Sequence, residues 1–124
     1  ASLYEWGGKN ADGTDGFAAH RPGWGMPIHQ LLVTNHVNAV FHGHDHLYVK
    51  QELDGIVYQE CPQPGDPRGG TRSAAEYGYK SGLILGSSGY LRVTISGEQA
   101  KVEYVRTSAA ESDVIADSYR VTPR

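Results

Sequence analysis

The sequence is poor in cysteine and has no cluster of basic residues. Cys61 is the single cysteine among 124 residues, which excludes both an internal disulfide and a cysteine-based zinc site. Eleven lysines and arginines stand against 14 acidic residues, and the formal net charge is −3. Because contact with a phosphate backbone requires clustered positive charge, the composition argues against nucleic-acid binding through a basic face.

Long apolar runs are also missing. No stretch approaches the roughly 20 apolar residues of a membrane-spanning helix, and no polybasic segment suggests a membrane surface as partner. Apolar residues make up 39% of the chain, and it contains 16 glycines and 6 prolines. This composition predicts a single domain over residues 1–124, built from short strands and many turns.

One main helix is predicted near the middle of the N-terminal half. Pro27 suits the first helical position, because the amide hydrogen that proline lacks would have no partner there. Ile28, Leu31 and Leu32 follow on one face. The apolar run over residues 37–41 then predicts a buried strand directly after the helix.

The remainder of the chain predicts antiparallel hairpins. The pair Asp54-Gly55 separates two strand-like runs and favours a type I′ turn, in which both central residues have positive φ. Residues 91–106 alternate between apolar and polar on both sides of a second turn, as in a hairpin with one buried face. A polar connection over residues 107–116 and a short final strand near Tyr119 complete the prediction.

The predicted order of elements leaves the first strand without a parallel partner. A helix followed by one strand provides no crossover, and parallel pairing requires one. The chain also begins at Ala1 without an initiator methionine. We therefore expect an N-terminal portion of the same domain to precede this sequence.

The stretch Phe41–His46 contains three of the six histidines. Neutral imidazole is the commonest side-chain metal ligand, and Gly43 permits a tight turn after the strand. His44 and His46 are thus candidate metal ligands, whereas Asp45 between them is expected to point the other way. Two histidines are too few alone, since a catalytic zinc takes about three protein ligands and a structural zinc four. The alternative is a polar turn with solvated imidazoles.

Gly43-His44-Asp45-His46 after an apolar strand resembles the C-terminal Gly-His-x-His motif of the calcineurin-like metallophosphoesterases, which include the purple acid phosphatases. The resemblance extends over about residues 26–60, where a helix, a strand, the motif and a departing strand follow one another. It implies an α/β parent fold, the αββα sandwich of that family. This chain would be its C-terminal part, with antiparallel β hairpins and one main helix. The other ligand motifs of the family, which carry its carboxylates, are absent from this sequence.

The resemblance implies hydrolysis of a phosphoester substrate by a metal-activated water at a binuclear site. Two divalent or trivalent ions of Fe, Mn or Zn would be held, with His44 on one ion and His46 on the other. Such ions lower the pKa of water and hold the phosphoryl oxygens. His42 would at most orient a ligand. Without the missing carboxylates, the isolated chain is expected to bind metal weakly and to be inactive.

Other interpretations stay open. The chain could be a non-catalytic β-rich binding or assembly module whose histidines are structural. Arg68 and Arg72 could contact a substrate phosphate, although a solvated loop is the expectation for both. Loss of an upstream portion would also expose the apolar sheet edge near residues 37–41, and exposed edges favour self-association.

Overall fold

The computed structural model describes residues 8, 10–65, 69–108 and 110–124. The chain forms two compact units, residues 1–37 and residues 38–124. The first unit contains the short helices α1 (Phe17–His20) and α2 (Ile28–Thr34). Pro27 stands immediately before α2, where its lack of an amide hydrogen costs no helical hydrogen bond. Neither helix in the described part of the chain has the length or apolar character needed to cross a bilayer.

In its described residues, the second unit contains two sheets. The first sheet has the order β1-β3-β2-β4, and the second has the order β5-β6-β7. A short 3₁₀ turn, Arg72–Ala74, lies in the long segment between β3 and β4. The strands are β1 (Ala39–His42), β2 (Leu47–Leu53), β3 (Ile56–Glu60), β4 (Leu83–Gly86), β5 (Gly89–Ile95), β6 (Ala100–Ser108) and β7 (Glu111–Val121).

The strand pairing of both predicted hairpins is confirmed, but the buried apolar face predicted for the second is wrong on β5, where Val93 and Ile95 are 43% and 73% exposed. Asp54 and Gly55 connect β2 to β3 with φ values of 49° and 75°, the positive angles that a type I′ turn requires. Leu53 consequently pairs with Ile56, and the two strands run antiparallel from that point. β5 and β6 form the second hairpin.

The first strand does have a parallel partner, which corrects the expectation drawn from the order of elements. β1 runs parallel to β3, and the last pair in their register is His42 opposite Glu60. The crossover consists of the short loop after β1 together with β2, so it lies within the sequence itself. This parallel pair is therefore no sign that an upstream portion is missing.

The predicted α/β sandwich with one main helix is wrong, because the structure is β-rich. Strands make up 43% of it and helices 12%. The two helices contain 4 and 7 residues, none of them buried. Helices this short gain little from their own hydrogen bonds, and these bury no apolar stripe that could cover a sheet. The second unit instead packs sheet against sheet.

Two strand predictions need correction as well. Phe41 was expected in a buried strand, but its side chain is 45% exposed because β1 lies at the edge of its sheet. The final strand, β7, has 11 residues and begins at Glu111, inside the region predicted as a connection. Its pairing with β6 supplies backbone hydrogen bonds that its polar composition does not reveal.

Side chains from both sheets meet in a layer that is partly aromatic and partly polar. The rings of Tyr48 and Tyr104 stack with their centroids 4.5 Å apart and their planes at 6°. The Tyr48 hydroxyl donates to Asp117 Oδ2 at 2.5 Å, and Lys50 Nζ donates to the same oxygen at 2.8 Å. Because β2 and β7 belong to different sheets, these two hydrogen bonds join the sheets.

Candidate functional site

The loop Gly43–His46 connects β1 to β2 at the carboxyl end of β1. Since β3 lies between these two strands in the sheet, the loop has to cross the carboxyl end of β3. His42 and Glu60 are neighbours in the register at that edge. The amide of Cys61 donates to the carbonyl of His42 at 2.7 Å. The candidate histidines are thus placed above the ends of two parallel strands.

The backbone of this loop is strained at the histidines and not at the glycine. His44 has a φ of 113° and His46 a φ of 57°. Gly43, which was expected to supply the unusual angle, has no positive φ. Positive φ at a residue with a side chain costs roughly 1–3 kcal/mol and persists only where the surroundings impose it. The groups around the loop therefore determine its shape.

The side chain of Asp45, in the middle of the loop, and the side chain of Glu60 are both buried. Asp45 is only 5% exposed, and its amide donates to Glu60 Oε1 at 2.9 Å. Glu60 is fully buried, and its second carboxylate oxygen lies 2.5 Å from Nδ1 of His42. The Asp45 side chain thus points into the protein, but it does not point away from His44, whose Nδ1 lies 2.9 Å from Asp45 Oδ1. A buried carboxylate at the end of β3 anchors the centre of the loop.

Tyr79 and His44 both form hydrogen bonds with Asp45. The Tyr79 hydroxyl lies 2.6 Å from Asp45 Oδ2, and Nδ1 of His44 lies 2.9 Å from Oδ1. Burial acts to raise the pKa of Asp45, but these hydrogen bonds favour the ionised form, and the pKa stays below its usual range. Burial and the nearby carboxylate raise the pKa of Tyr79. At neutral pH a phenol therefore donates to a carboxylate here.

Ser87 holds the last residue of the loop. Its side chain is buried, and its hydroxyl donates to the carbonyl of His46 at 2.6 Å. The hydroxyl oxygen of Ser87 also accepts a hydrogen bond from the amide of Gln63 at 3.0 Å. The loop is therefore held from three separate segments: the end of β3, the long segment before β4, and the residues after β4.

The two candidate ligands point outward from this anchored loop. The side chain of His44 is 82% exposed, and His46 is exposed as well. The ring of Tyr77 lies edge-on to that of His44, with 6.4 Å between the centroids. The structure thus presents both imidazoles to solvent on one loop, whereas it turns His42 toward a buried carboxylate.

Imidazole nitrogens suit transition-metal ions such as Zn, Fe and Mn, so the type of donor fits the expected metals. The number of donors is smaller than a complete site needs. Among residues 8, 10–65, 69–108 and 110–124, no three histidine, cysteine or acidic side chains are grouped so as to hold a metal ion. A metal bound by His44 and His46 would therefore need further ligands.

Of the two arginines considered for phosphate binding, the structure describes Arg72. Arg68 lies outside the described residues. Arg72 begins the 3₁₀ turn and is exposed, in keeping with the expected solvated loop.

The residues that shape the loop were missed in the sequence. Glu60, Tyr79 and Ser87 contact it across separations of 15, 34 and 41 residues. Only Glu60 has a recognisable signal, since it is a charged residue in a strand that is otherwise apolar or uncharged. For Tyr79 and Ser87 no local pattern distinguishes them from the other tyrosines and serines.

Comparison with known proteins provides no assignment, because no protein-family model matches the sequence and no curated protein matches it significantly. The chemistry of the exposed histidine loop is therefore the basis on which a function can be inferred.

Proposed function

We propose that this chain is the C-terminal part of a metal-dependent phosphoesterase, to whose metal site it contributes His44 and His46. The observation that carries the proposal is the loop itself. It holds two exposed imidazoles on a backbone with two positive φ values, and buried side chains clamp it from below. Strain of this kind is concentrated at functional sites.

The chain's own residues would hold the ions and keep their ligands in place. His44 and His46 offer neutral nitrogen donors, while Asp45, Glu60 and Ser87 fix the backbone that bears them. Metal ions at such a site lower the pKa of a bound water and stabilise charge on the phosphoryl oxygens of the substrate. The carboxylates that would complete the site belong to the N-terminal portion that the resemblance implies.

The main test uses a longer protein that includes the sequence encoded upstream of Ala1. The coding sequence upstream of Ala1 should contain an Asp-x-His motif and a Gly-Asn-His-Glu or Gly-Asn-His-Asp motif. The longer protein, loaded with Mn, Zn or Fe, should hydrolyse p-nitrophenyl phosphate. A stop codon directly upstream, or upstream sequence without these motifs, would contradict the proposal.

Matched substitutions then test the two ligands in that longer protein. His44→Asn and His46→Asn should each abolish turnover, because asparagine tolerates positive φ better than most residues but lacks an imidazole. His36→Asn is the control, since His36 is exposed and has a φ of 54°. Equal activity in all three variants would exclude the assigned ligands.

The isolated chain should show no turnover above buffer under the same conditions. Its described residues provide too few donors for a catalytic metal. Robust activity of the 124-residue chain that is lost in His44→Asn would show that no upstream portion is needed.

The alternative is a non-catalytic β-rich binding or assembly module. A groove of about 350 Å³ in the second unit favours it, with Phe41, Val93, Ile95 and Val121 in its lining. Ile95 is 73% exposed, which is unusual for an isoleucine. If the groove and the adjacent edge of β1 mediate self-association, light scattering should show a mass that grows with concentration, and Ile95→Ser should reduce it. A constant monomer mass would contradict assembly.

A further inference from the structure

The hydrogen bonds of Asp45 form a chain that leads from a buried phenol to an exposed imidazole. Tyr79, which is 6% exposed, donates to one carboxylate oxygen of Asp45. Nδ1 of His44 approaches the other oxygen at 2.9 Å. Both oxygens of the carboxylate are thus engaged, one from the interior and one from the loop surface.

The protonation pattern of this chain follows from the donor and acceptor inventory. An ionised carboxylate can only accept hydrogen bonds, so both of its neighbours must donate. Nδ1 of His44 therefore carries the hydrogen, and in the neutral ring the lone pair lies on Nε2. Free histidine in water favours the opposite tautomer, so the local structure has to impose this one.

We infer that Asp45, held in place by Tyr79, is a positioning residue that keeps the hydrogen of His44 on Nδ1 and presents the Nε2 lone pair to a transition-metal ion such as Zn²⁺. Metal-binding histidines commonly donate their second nitrogen to a carboxylate, which fixes the tautomer and the ring orientation. The assignment of a metal ion to Nε2 rests on the proposed function, whereas the assignment of the tautomer does not depend on it.

Tyr79 makes the inference testable, because its hydroxyl should determine which way the side-chain amide of an asparagine at position 45 is oriented. In Asp45→Asn the side-chain oxygen should face the Tyr79 hydroxyl, which leaves the NH₂ group facing His44. Nδ1 of His44 would then have to accept a hydrogen bond, and the ring hydrogen would move to Nε2. A substitution that changes neither size nor shape should thus reverse the tautomer.

The test is a long-range ¹H–¹⁵N NMR spectrum of the whole chain labelled with ¹⁵N-histidine and free of metal. It is recorded about two pH units above the pKa of free histidine, which is about 6.5. His44 is assigned by the signal that His44→Asn removes. The wild type should show the Nδ1–H tautomer, and Asp45→Asn should show the Nε2–H tautomer.

Two tyrosine variants separate positioning from general stability. Tyr79→Phe removes the hydroxyl that holds one carboxylate oxygen of Asp45, so the His44 signals should move toward a mixture of tautomers. Tyr48→Phe removes a comparable phenol–carboxylate hydrogen bond from Asp117, and His44 should stay unchanged. An Nε2–H tautomer in the wild type, or the same change in both tyrosine variants, would overturn the inference.

Zn²⁺ alone, added to the same samples, tests the direction in which the ring is presented. It should perturb Nε2 of His44 and not Nδ1, with affinity 10- to 100-fold weaker in Asp45→Asn, as for other supporting residues of metal ligands. Equal affinity in both proteins would overturn the role toward metal. If the tautomer is as expected but Zn²⁺ added to the longer protein, with its upstream portion, perturbs neither His44 nor His46, the proposed function is contradicted and the hydrogen-bonding role of Asp45 stands.

Discussion

Two tyrosine–aspartate pairs in the second unit contain the same phenol–carboxylate hydrogen bond. They differ in the third side chain, which also contacts the aspartate. Tyr79 donates to Asp45 at 2.6 Å, and Tyr48 donates to Asp117 at 2.5 Å. Each aspartate also accepts from a nitrogen. At Asp45 this nitrogen belongs to His44, which is 82% exposed, whereas at Asp117 it belongs to a lysine that is 20% exposed.

The third side chain determines whether the pair has a purely structural role or also orients a candidate metal ligand. A lysine ammonium has only donors and keeps no lone pair for a ligand, so the pair at Asp117 can only join the two sheets. The imidazole of His44 has a second nitrogen that faces away from Asp45. The same phenol–carboxylate unit therefore stabilises packing in one place and orients a candidate metal ligand in the other.

The largest effect on stability is expected at the inter-sheet pair. Asp117→Ala should lower the free energy of unfolding by about 2–3 kcal/mol, because Tyr48 and Lys50 both lose their acceptor. Urea unfolding followed by circular dichroism measures the change. Glu98→Ala, at an exposed turn, is the control and should stay within about 0.5 kcal/mol. A loss as small as the control's would mean that the sheets do not depend on this pair.

Acid should weaken both pairs. Burial raises the pKa of Asp117, but the hydrogen bonds from Lys50 and Tyr48 outweigh it and hold the pKa below its usual range; the pKa of Asp45 is lowered too. A lowered folded-state pKa contributes stability above the unfolded value of about 3.9, and the contribution is lost as pH falls through the folded value. Urea midpoints should therefore decrease below about pH 4. Asp117→Asn should flatten that decrease, and a curve parallel to the wild type would refute the assignment.

The matched tyrosine variants should cost similar amounts of stability but differ at the loop. Tyr79→Phe and Tyr48→Phe should each lower the free energy of unfolding by about 1–2 kcal/mol, since each removes one hydrogen bond to a charged acceptor. Hydrogen exchange at the amide of Asp45 should accelerate only in Tyr79→Phe. Equal acceleration in both variants would show that the two pairs are not independent.

The smallest effect is expected at the end of the loop. Ser87→Ala should cost about 1 kcal/mol, because the carbonyl of His46 and the amide of Gln63 both lose the hydroxyl. Exchange of the loop amides reports the loosening. Ser96→Ala, in the exposed turn between β5 and β6, should leave the loop unchanged, and a similar result for Ser87→Ala would remove it from the anchors of the loop.

The features that the sequence predicted well are those with a local cause. The turn at Asp54-Gly55 follows from the φ angles that these two residues tolerate, and it places β2 against β3 wherever the rest of the chain lies. The alternation over residues 91–106 in the same way indicates a hairpin with little outside help. His44 and His46 were selected as candidate ligands from their spacing, the strand before them and the resemblance to a Gly-His-x-His motif, and their metal binding stays a prediction.

The features that the sequence missed depend on distant partners. Phe41 belongs to an apolar run, but whether such a strand is buried depends on its place in the sheet, and β1 lies at the edge. The length of β7 depends on the backbone groups of β6. The α/β sandwich was an extrapolation from the resemblance, and the short helices of this chain do not support it.

Residue types and their local order specified two hairpin turns and one histidine-rich loop after a strand, because φ preferences and hydrophobic patterns act over a few residues. Tertiary structure decided which way that loop faces. Its underside is held by Glu60, Tyr79 and Ser87, which only chain folding brings to it. Those contacts impose the positive φ values, bury Asp45 and turn both candidate ligands outward, and no short-range rule contains that information.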